Sequence, residues 1–332
     1  MCACGTPITG PVNLGFTARA LETGMPSAPS NSPSKANIDQ RSATFGVTRR
    51  VVLGGLGFGG LLGSATTAYA VGVEPLGLVV TSYRPQLPHW PSGQSLSISV
   101  IADLHAGGPN MTVRHIRHLV DVTNALKSDL IVLLGDYVAT HPFVTERVPH
   151  RIWAAEFSRL KAALGVWAVL GNHDWTVGVD HVRRALADVA IPVLENHAVR
   201  LGTSGRRFWL AGLGDQIGHA NHGDVDGSDD LPGTLAAIDT DDPVILLAHE
   251  PDVFPAVPDR VSLTLAGHTH GGQIRVPLVW ESFLPSVYGA RFAYGHIVED
   301  GRHMIVSGGL GTSKVPVRLG VPPEIVRIDI GA

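Results

Sequence analysis

The stretch 261-VSLTLAGHTHGGQI-274 decides how the rest of the chain is read. Residues 261–266 form a short run, rich in apolar and β-branched side chains, with the length of a buried strand. The run stops at Gly267; His268 and His270 follow one residue apart, and Gly271 and Gly272 come next. A buried strand that ends by presenting two imidazoles on a glycine-framed tip raises the question of what they bind, and the surrounding runs place the strand in an α/β domain. In such domains ligands bind beyond the carboxyl ends of the strands.

Working outward, runs of the same kind occur at 96–102, 129–134, 166–170, 208–212, 243–248, 303–307 and 324–330. Amphipathic stretches at 112–127, 150–164 and 180–189 lie between several of them. Strands alternating with helices predict substantial parallel pairing, with the helices outside. Residues 96–332 read as one catalytic domain without an internal repeat.

The residues at the ends of these runs carry the chemistry. Asp103-Leu104-His105 comes after the first, Gly135-Asp136 after the second, Gly171-Asn172-His173-Asp174 after the third, and His249 after the run at 243–248. A lone Asp or His at a strand end is ordinarily a cap or a turn residue. Several at adjoining strand ends would crowd charge unless a positive centre compensated, and a pair of divalent metal ions supplies one. Glycines at 135, 171, 267 and 271 suit turns that bring the backbone close to such ions. A donor set of imidazole and carboxylate suits Mn, Fe, Zn or Co and disfavours Ca.

The ordered pattern D-x-H, GD, GNHD, H and GHTH across residues 103–270 resembles the calcineurin-like metallophosphoesterase superfamily. GHTHGGQI and the run 308-GGLGTSKVPVRLGVPPEI-325 are similar to its YkuE/YaeI-like branch of exported bacterial phosphodiesterases. The resemblance implies a four-layer α-β-β-α sandwich, two mixed sheets face to face with helices outside. It implies that Asp103, His105, Asp136 and His270 hold one ion. Asp136, Asn172, His249 and His268 hold the second, with Asp136 bridging. The implied reaction is hydrolysis of a phosphate ester, a diester before a monoester, by a hydroxide shared between the ions. His173 is expected over the leaving group as general acid, with Asp174 orienting it or, alternatively, capping a helix start. Arg318 and Ser313 are candidate phosphate contacts, with a surface or structural arginine the alternative for Arg318. A nucleotide or cyclic-nucleotide phosphohydrolase is the enzymatic alternative. A non-catalytic metal-binding scaffold is the alternative of another class, although here every motif position is filled.

The totals of the 332-residue chain agree with a globular enzyme: 44% hydrophobic and 16% charged residues. A net charge of −4 argues against a nucleic-acid binder that relies on phosphate contacts. Both cysteines, Cys2 and Cys4, precede the domain, which excludes disulfides, cysteine-ligated zinc and a cysteine nucleophile from it.

Residues 1–47, rich in Pro, Ser and Gly, are expected to be disordered. In 48-TRRVVLGGLGFGGLLGSATTAYA-70, Arg49-Arg50 precedes a glycine-laden apolar run that ends in Ala68-Tyr69-Ala70. This resembles a twin-arginine signal peptide and implies export by the twin-arginine translocation machinery to an extracytoplasmic location. Cleavage is expected after Ala70; the alternative keeps residues 51–70 as a membrane anchor. The G-x-G-x-x-G at Gly55–Gly60 has no strand before it and is rejected as a nucleotide site. Residues 71–95 are expected to be a linker, Pro-rich from Arg84 onward. The polar segment 219-HANHGDVDGSDD-230 is expected to rim the site and shape substrate choice, and it lacks calcium-loop spacing.

Overall fold

Why the runs at 96–102 and 261–266 carry so few charges becomes clear from their neighbours. A computed structural model of the protein describes residues 63–203, 205–218, 227–278 and 280–331. The extension 1–47, the arginine pair with the run to residue 62, and residues 219–226 of the polar loop lie outside the described residues.

The strands in chain order are β1 (Val79–Tyr83), β2 (Leu96–Ile101), β3 (Leu130–Leu134), β4 (Val166–Val169), β5 (His197–Thr203), β6 (Arg206–Gly212), β7 (Val244–Leu247), β8 (Val261–Ala266), β9 (Gly295–Glu299), β10 (Arg302–Val306) and β11 (Glu324–Ile330). They form two sheets, ordered β1-β11-β2-β3-β4 and β5-β6-β7-β8-β10-β9. Neighbours from β2 to β4 and from β6 to β10 are parallel, whereas β11 on β2, β5 on β6 and β9 on β10 are antiparallel. Both sheets are therefore mixed.

Side chains alternate across each strand and sort into three apolar interfaces. Ile98, Val100, Leu130 and Val132 of the first sheet share a core with Leu210, Ile245, Leu263 and Leu265 of the second. Their neighbours Ile101, Ile131, Leu133 and Ala168 face the helices α1 (Val113–Ala125), α2 (His150–Phe157) and α4 (Val179–Ala187), through Ile116, Leu119, Trp153, Val182 and Leu186. Leu246, Ala266, Met304 and Val306 cluster with Leu231 of α5 (Leu231–Ala236) and with Phe254 and Phe292 of short 3-10 turns. Three interfaces make four layers, the expected α-β-β-α sandwich. Burial on both faces is what makes the central strands continuous apolar runs.

The expected linker at 71–95 needs correction. Val79–Tyr83 is β1, paired in parallel with Glu324–Ile328 of β11. Ahead of it, the buried Glu74 accepts the backbone N–H of Val321 at 2.7 Å. Behind it, Trp90 packs on Phe208 with ring centroids 5.8 Å apart. The folded domain therefore starts well before residue 96. The edge strand was hidden because it has one partner and half-exposed side chains, which removes the need for a continuous apolar run. Residues 63–72 are helical, and the carbonyl of Ala70 accepts the N–H of Arg318 at 3.0 Å. Among the described residues, no helix is long and apolar enough to cross a membrane.

Candidate metal centre

The carboxyl ends of β2, β3, β4, β7 and β8 converge, and each delivers polar side chains to one place. Asp103 and His105 follow β2 and Asp136 follows β3; Asn172 and His173 open the short helix α3 (Asn172–Thr176) after β4. His249 follows β7, and His268 and His270 follow β8. The backbone turns sharply to present them. Asp103, His105, Asp136, His268 and His270 have φ of 51°, 41°, 58°, 69° and 51°. That left-handed region costs a non-glycine residue on the order of 1–3 kcal/mol, and such strain concentrates at functional sites. Glycine is required where two turns touch: a Cβ on Gly171 would lie 2.4 Å from Oδ1 of Asp136 and 2.6 Å from the His249 ring.

The ligating atoms form two groups with one member in common. Nε2 of His105 lies 3.0 Å from Nε2 of His270 and 3.5 Å from Oδ2 of Asp136, and Nε2 of His270 is 3.8 Å from Oδ1 of Asp103. On the other side, Nε2 of His249 lies 3.3 Å from that same Oδ2 of Asp136. Nδ1 of His268 lies 3.3 Å from Nε2 of His249 and 3.1 Å from Oδ1 of Asn172. The Nδ1–H of His249 donates to the carbonyl of Leu134 at 2.6 Å, which leaves Nε2 facing the cluster.

Electrostatics shows what the cluster lacks. Asp103 is fully buried; its Oδ1 accepts the N–H of His268 at 2.9 Å, and its Oδ2 has no partner. Burial, opposed by His249 and assisted by the charge of Asp136, pushes Asp103 up to about 7. Burial pushes His105 and His268 down to about 3, and holds His270 well below its ordinary value. Asp136 stays low despite burial because His249 and His173 face it. An orphaned carboxylate oxygen beside imidazoles that resist protonation fits divalent cations. Asp103, His105 and His270 form one group able to hold an ion, and Asp136, His249 and His268 form another.

His173 lies at the edge of the cluster, where it forms a further candidate group with His105 and Asp136. Its ring meets His105 edge-on at 4.9 Å, and its Nδ1 pairs with Oγ1 of Thr140. Asp174, expected to orient it, does not touch it. Its carboxylate accepts the backbone N–H groups of Gly171 and Asp136 at 2.9 Å and of Tyr137 at 2.8 Å. Consecutive helical residues point to different faces, and a third-position carboxylate curls back over the helix start. Asp174 therefore staples the turns after β3 and β4. Burial, then the charge of Asp136, raises it to about 8.

Arg318, a candidate for phosphate, takes the structural alternative instead. It is fully buried. Its Nε donates to Gly311 O at 3.0 Å, and Nη1 donates to Gly308 O at 3.0 Å and Val321 O at 2.9 Å. Nη2 donates to Gly311 O at 2.6 Å and lies 3.3 Å from Nδ1 of His270. All five N–H groups are engaged, so none is left for a phosphate.

A cavity of about 490 Å³ opens onto Asp136, Asn172, His173, His268 and His270. Ser313 does line it, and the Ser313 N–H donates to Oε1 of Gln273 at 2.8 Å. A depression of about 740 Å³ lined by Lys127, Asp129, Phe157 and Ile191 holds none of the candidate residues. Sequence reasoning missed four residues around the centre. Thr140 had no spacing signal. Gln273 sits inside GHTHGGQI, and its Nε2 donates to Val315 O and Val317 O, both at 2.9 Å. Asp215 follows the 208–212 run as the other acids follow theirs, so the same rule could have found it. It is buried together with Glu250 beside His249, and burial raises both carboxyls.

The profile of the calcineurin-like phosphoesterase family matches residues 96–272, just over half of the chain and all seven candidate ligands. The "Transmembrane protein with metallophosphoesterase domain" of Bos taurus is 31% identical over 253 residues, covering 73% of this chain and 54% of that protein. "Phosphodiesterase YaeI" of Escherichia coli (strain K12) is 34% identical over 209 residues, covering 61% of this chain and 71% of that protein. The "Uncharacterized metallophosphoesterase YkuE" of Bacillus subtilis (strain 168) is 30% identical over 288 residues, covering 84% and 96%. This chain thus spans about half the length of the bovine relative and nearly all of the Bacillus one.

Proposed function

The chain belongs to the calcineurin-like phosphoesterase family, and on that footing we propose that it hydrolyses phosphate esters, diesters before monoesters, with two divalent ions seated in the cluster. One observation carries the reading: Oδ2 of Asp136 lies 3.5 Å from His105 Nε2 and 3.3 Å from His249 Nε2, a single oxygen shared by two ligand groups. Asp103, His105, Asp136 and His270 would hold one ion. Asp136, Asn172, His249 and His268 would hold the other, and the donor set suits Mn, Fe, Zn or Co. When bound, the ions supply a hydroxide nucleophile near neutral pH and neutralise charge on the phosphoryl oxygens.

The chain's own residues do the rest. Leu134 O fixes the His249 tautomer, Asp174 fixes the turn amides, and Arg318 braces His270. His173 gives a proton to the departing ester oxygen, which leaves as an alcohol, while Thr140 holds the ring at Nδ1. The printed name of the Escherichia coli relative, a phosphodiesterase, supports the diester preference. Arg49-Arg50 and the apolar run after it support export by the twin-arginine machinery and substrates in the cell envelope, with residues 51–70 cut or kept as an anchor.

The test uses metal-stripped protein with Mn, Fe, Zn, Co and Mg added back in turn. Bis-p-nitrophenyl phosphate and p-nitrophenyl phosphate are compared as substrates. Metal-dependent turnover that favours the diester is expected. Faster monoester turnover would reverse the preference, and two bound ions without turnover of either would favour the scaffold reading.

A further inference from the structure

We propose that the cavity beside the metal centre receives a hydrocarbon group of the substrate, so that the ester cleaved is a lipid phosphodiester. This rests on the phosphodiesterase reading. One end of the cavity is polar and is made of the candidate ligands and His173. The walls that extend from it are mainly aliphatic, Ile217, Ile274, Val276, Pro285 and Val315, with Gln273, Ser313 and Lys314 among them. Three separate segments supply them, namely the loop after β6, the chain that follows the glycine-framed histidines, and the loop between β10 and β11.

Size and exposure agree. A phosphate between two ions needs little of the 490 Å³, which lies in the range of about 300–1,000 Å³ that accommodates a whole small molecule. Ile217 and Val276, both of which line the cavity, are 38% and 42% exposed. Apolar side chains gathered at the mouth of a polar site mark a surface made for an apolar ligand.

The walls are braced before any ligand arrives. Gln273 spends its amide on the backbone of 313–317. Arg275 donates to Gly271 O at 2.8 Å and lies 5.1 Å from the Trp280 ring and 4.9 Å from the Tyr294 ring. A nucleoside would ask for something else. Among the described residues that line the cavity there is no Phe, Tyr or Trp to stack on a base, and the Gln273 amide is already committed.

The test is a series of p-nitrophenyl alkyl phosphodiesters from methyl to octyl, each below its micelle concentration, with the full chain loaded with Mn. A methylene buried in an apolar groove improves kcat/KM by up to about fourfold, so the octyl-to-methyl ratio should exceed about tenfold. Val276→Asp and Ile274→Asp should bring that ratio towards one. Because the ratio is taken within each variant, a general loss of activity cancels. Equal rates along the series would overturn the lipid assignment and leave the phosphodiesterase reading standing. A steep series unchanged in both variants would place the chain elsewhere and overturn the assignment too. No turnover of any member would overturn the reading beneath it, and the inference with it.

Discussion

Nη2 of Arg318 lies 3.3 Å from Nδ1 of His270, and the remaining N–H groups of that guanidinium go to backbone carbonyls. A cation at this distance from the active centre looks like a phosphate clamp in the sequence. In the structure it holds the loop between β10 and β11 against a candidate ligand.

Arg318→Lys therefore predicts a split. Loss of charged hydrogen bonds should lower stability by about 1.5–3 kcal/mol and weaken ion binding at the Asp103–His270 side. KM for bis-p-nitrophenyl phosphate in the metal-saturated variant should stay within about twofold. Denaturant titration and steady-state kinetics check both halves, and a rise in KM above tenfold would return Arg318 to the substrate.

Asp174 and Thr140 should separate in the same way. Asp174→Asn places an amide against backbone donors and should cost about 1–3 kcal/mol of stability. Thr140→Val should instead slow cleavage of alkyl leaving groups more than of p-nitrophenolate, which needs little protonation. Leaving-group dependence of kcat in the two variants distinguishes the roles.

Without metal, stability should depend on pH with a definite sign. Asp103 and Asp174 are raised to about 7 and 8, so the stability they contribute is fully present below the unfolded value of 3.8 and is lost as pH rises through those values. His249 is also raised, and adds to the loss above 6.5. His105 and His268, lowered to about 3, act oppositely but only up to 6.5. Between about pH 6.5 and 8 only the loss remains. Chelated protein should therefore melt at lower temperature at pH 8 than at pH 6.5, and Mn should reverse the order. Thermal scans with chelator or Mn at the two pH values check this.

Residues 71–84 should behave as part of the domain. A chain beginning at Val71 keeps Glu74 on Val321 and β1 on β11. A chain beginning at Pro85 loses both, along with the hydrogen bonds to Glu324 and β11, and should unfold at distinctly lower urea. Equal midpoints would make the segment dispensable.

Burial decides which parts of the molecule the sequence disclosed and which it concealed. All eight apolar runs became strands: seven lie inside the sheets, where cover on both faces favours apolar side chains, and β4, although an edge, buries Ala168 and Val169 in the two cores. The three strands it did not reveal, β1, β5 and β9, are sheet edges with half-exposed side chains. The stretch at 150–164 kept its amphipathic pattern, but the helix ends at Phe157 and Leu160 packs into the core from a loop. At the centre, Asp103, Asp136, His249 and His268 were legible because each ends a strand. The partners of Asp174, Arg318 and His173 were not, because a long or curling side chain chooses among backbone groups that only folding brings near.

The proposed chemistry turns on the shared oxygen of Asp136, and ion content tests it most directly. Metal should be counted per chain by mass spectrometry in the wild type, Asp103→Asn and Asp136→Asn, with diester turnover measured on the same samples. Two ions are predicted in the wild type, one in Asp103→Asn, and neither retained tightly in Asp136→Asn, with turnover abolished. A wild type fully active with one ion, or an Asp136→Asn variant that keeps two ions and its turnover, would contradict it.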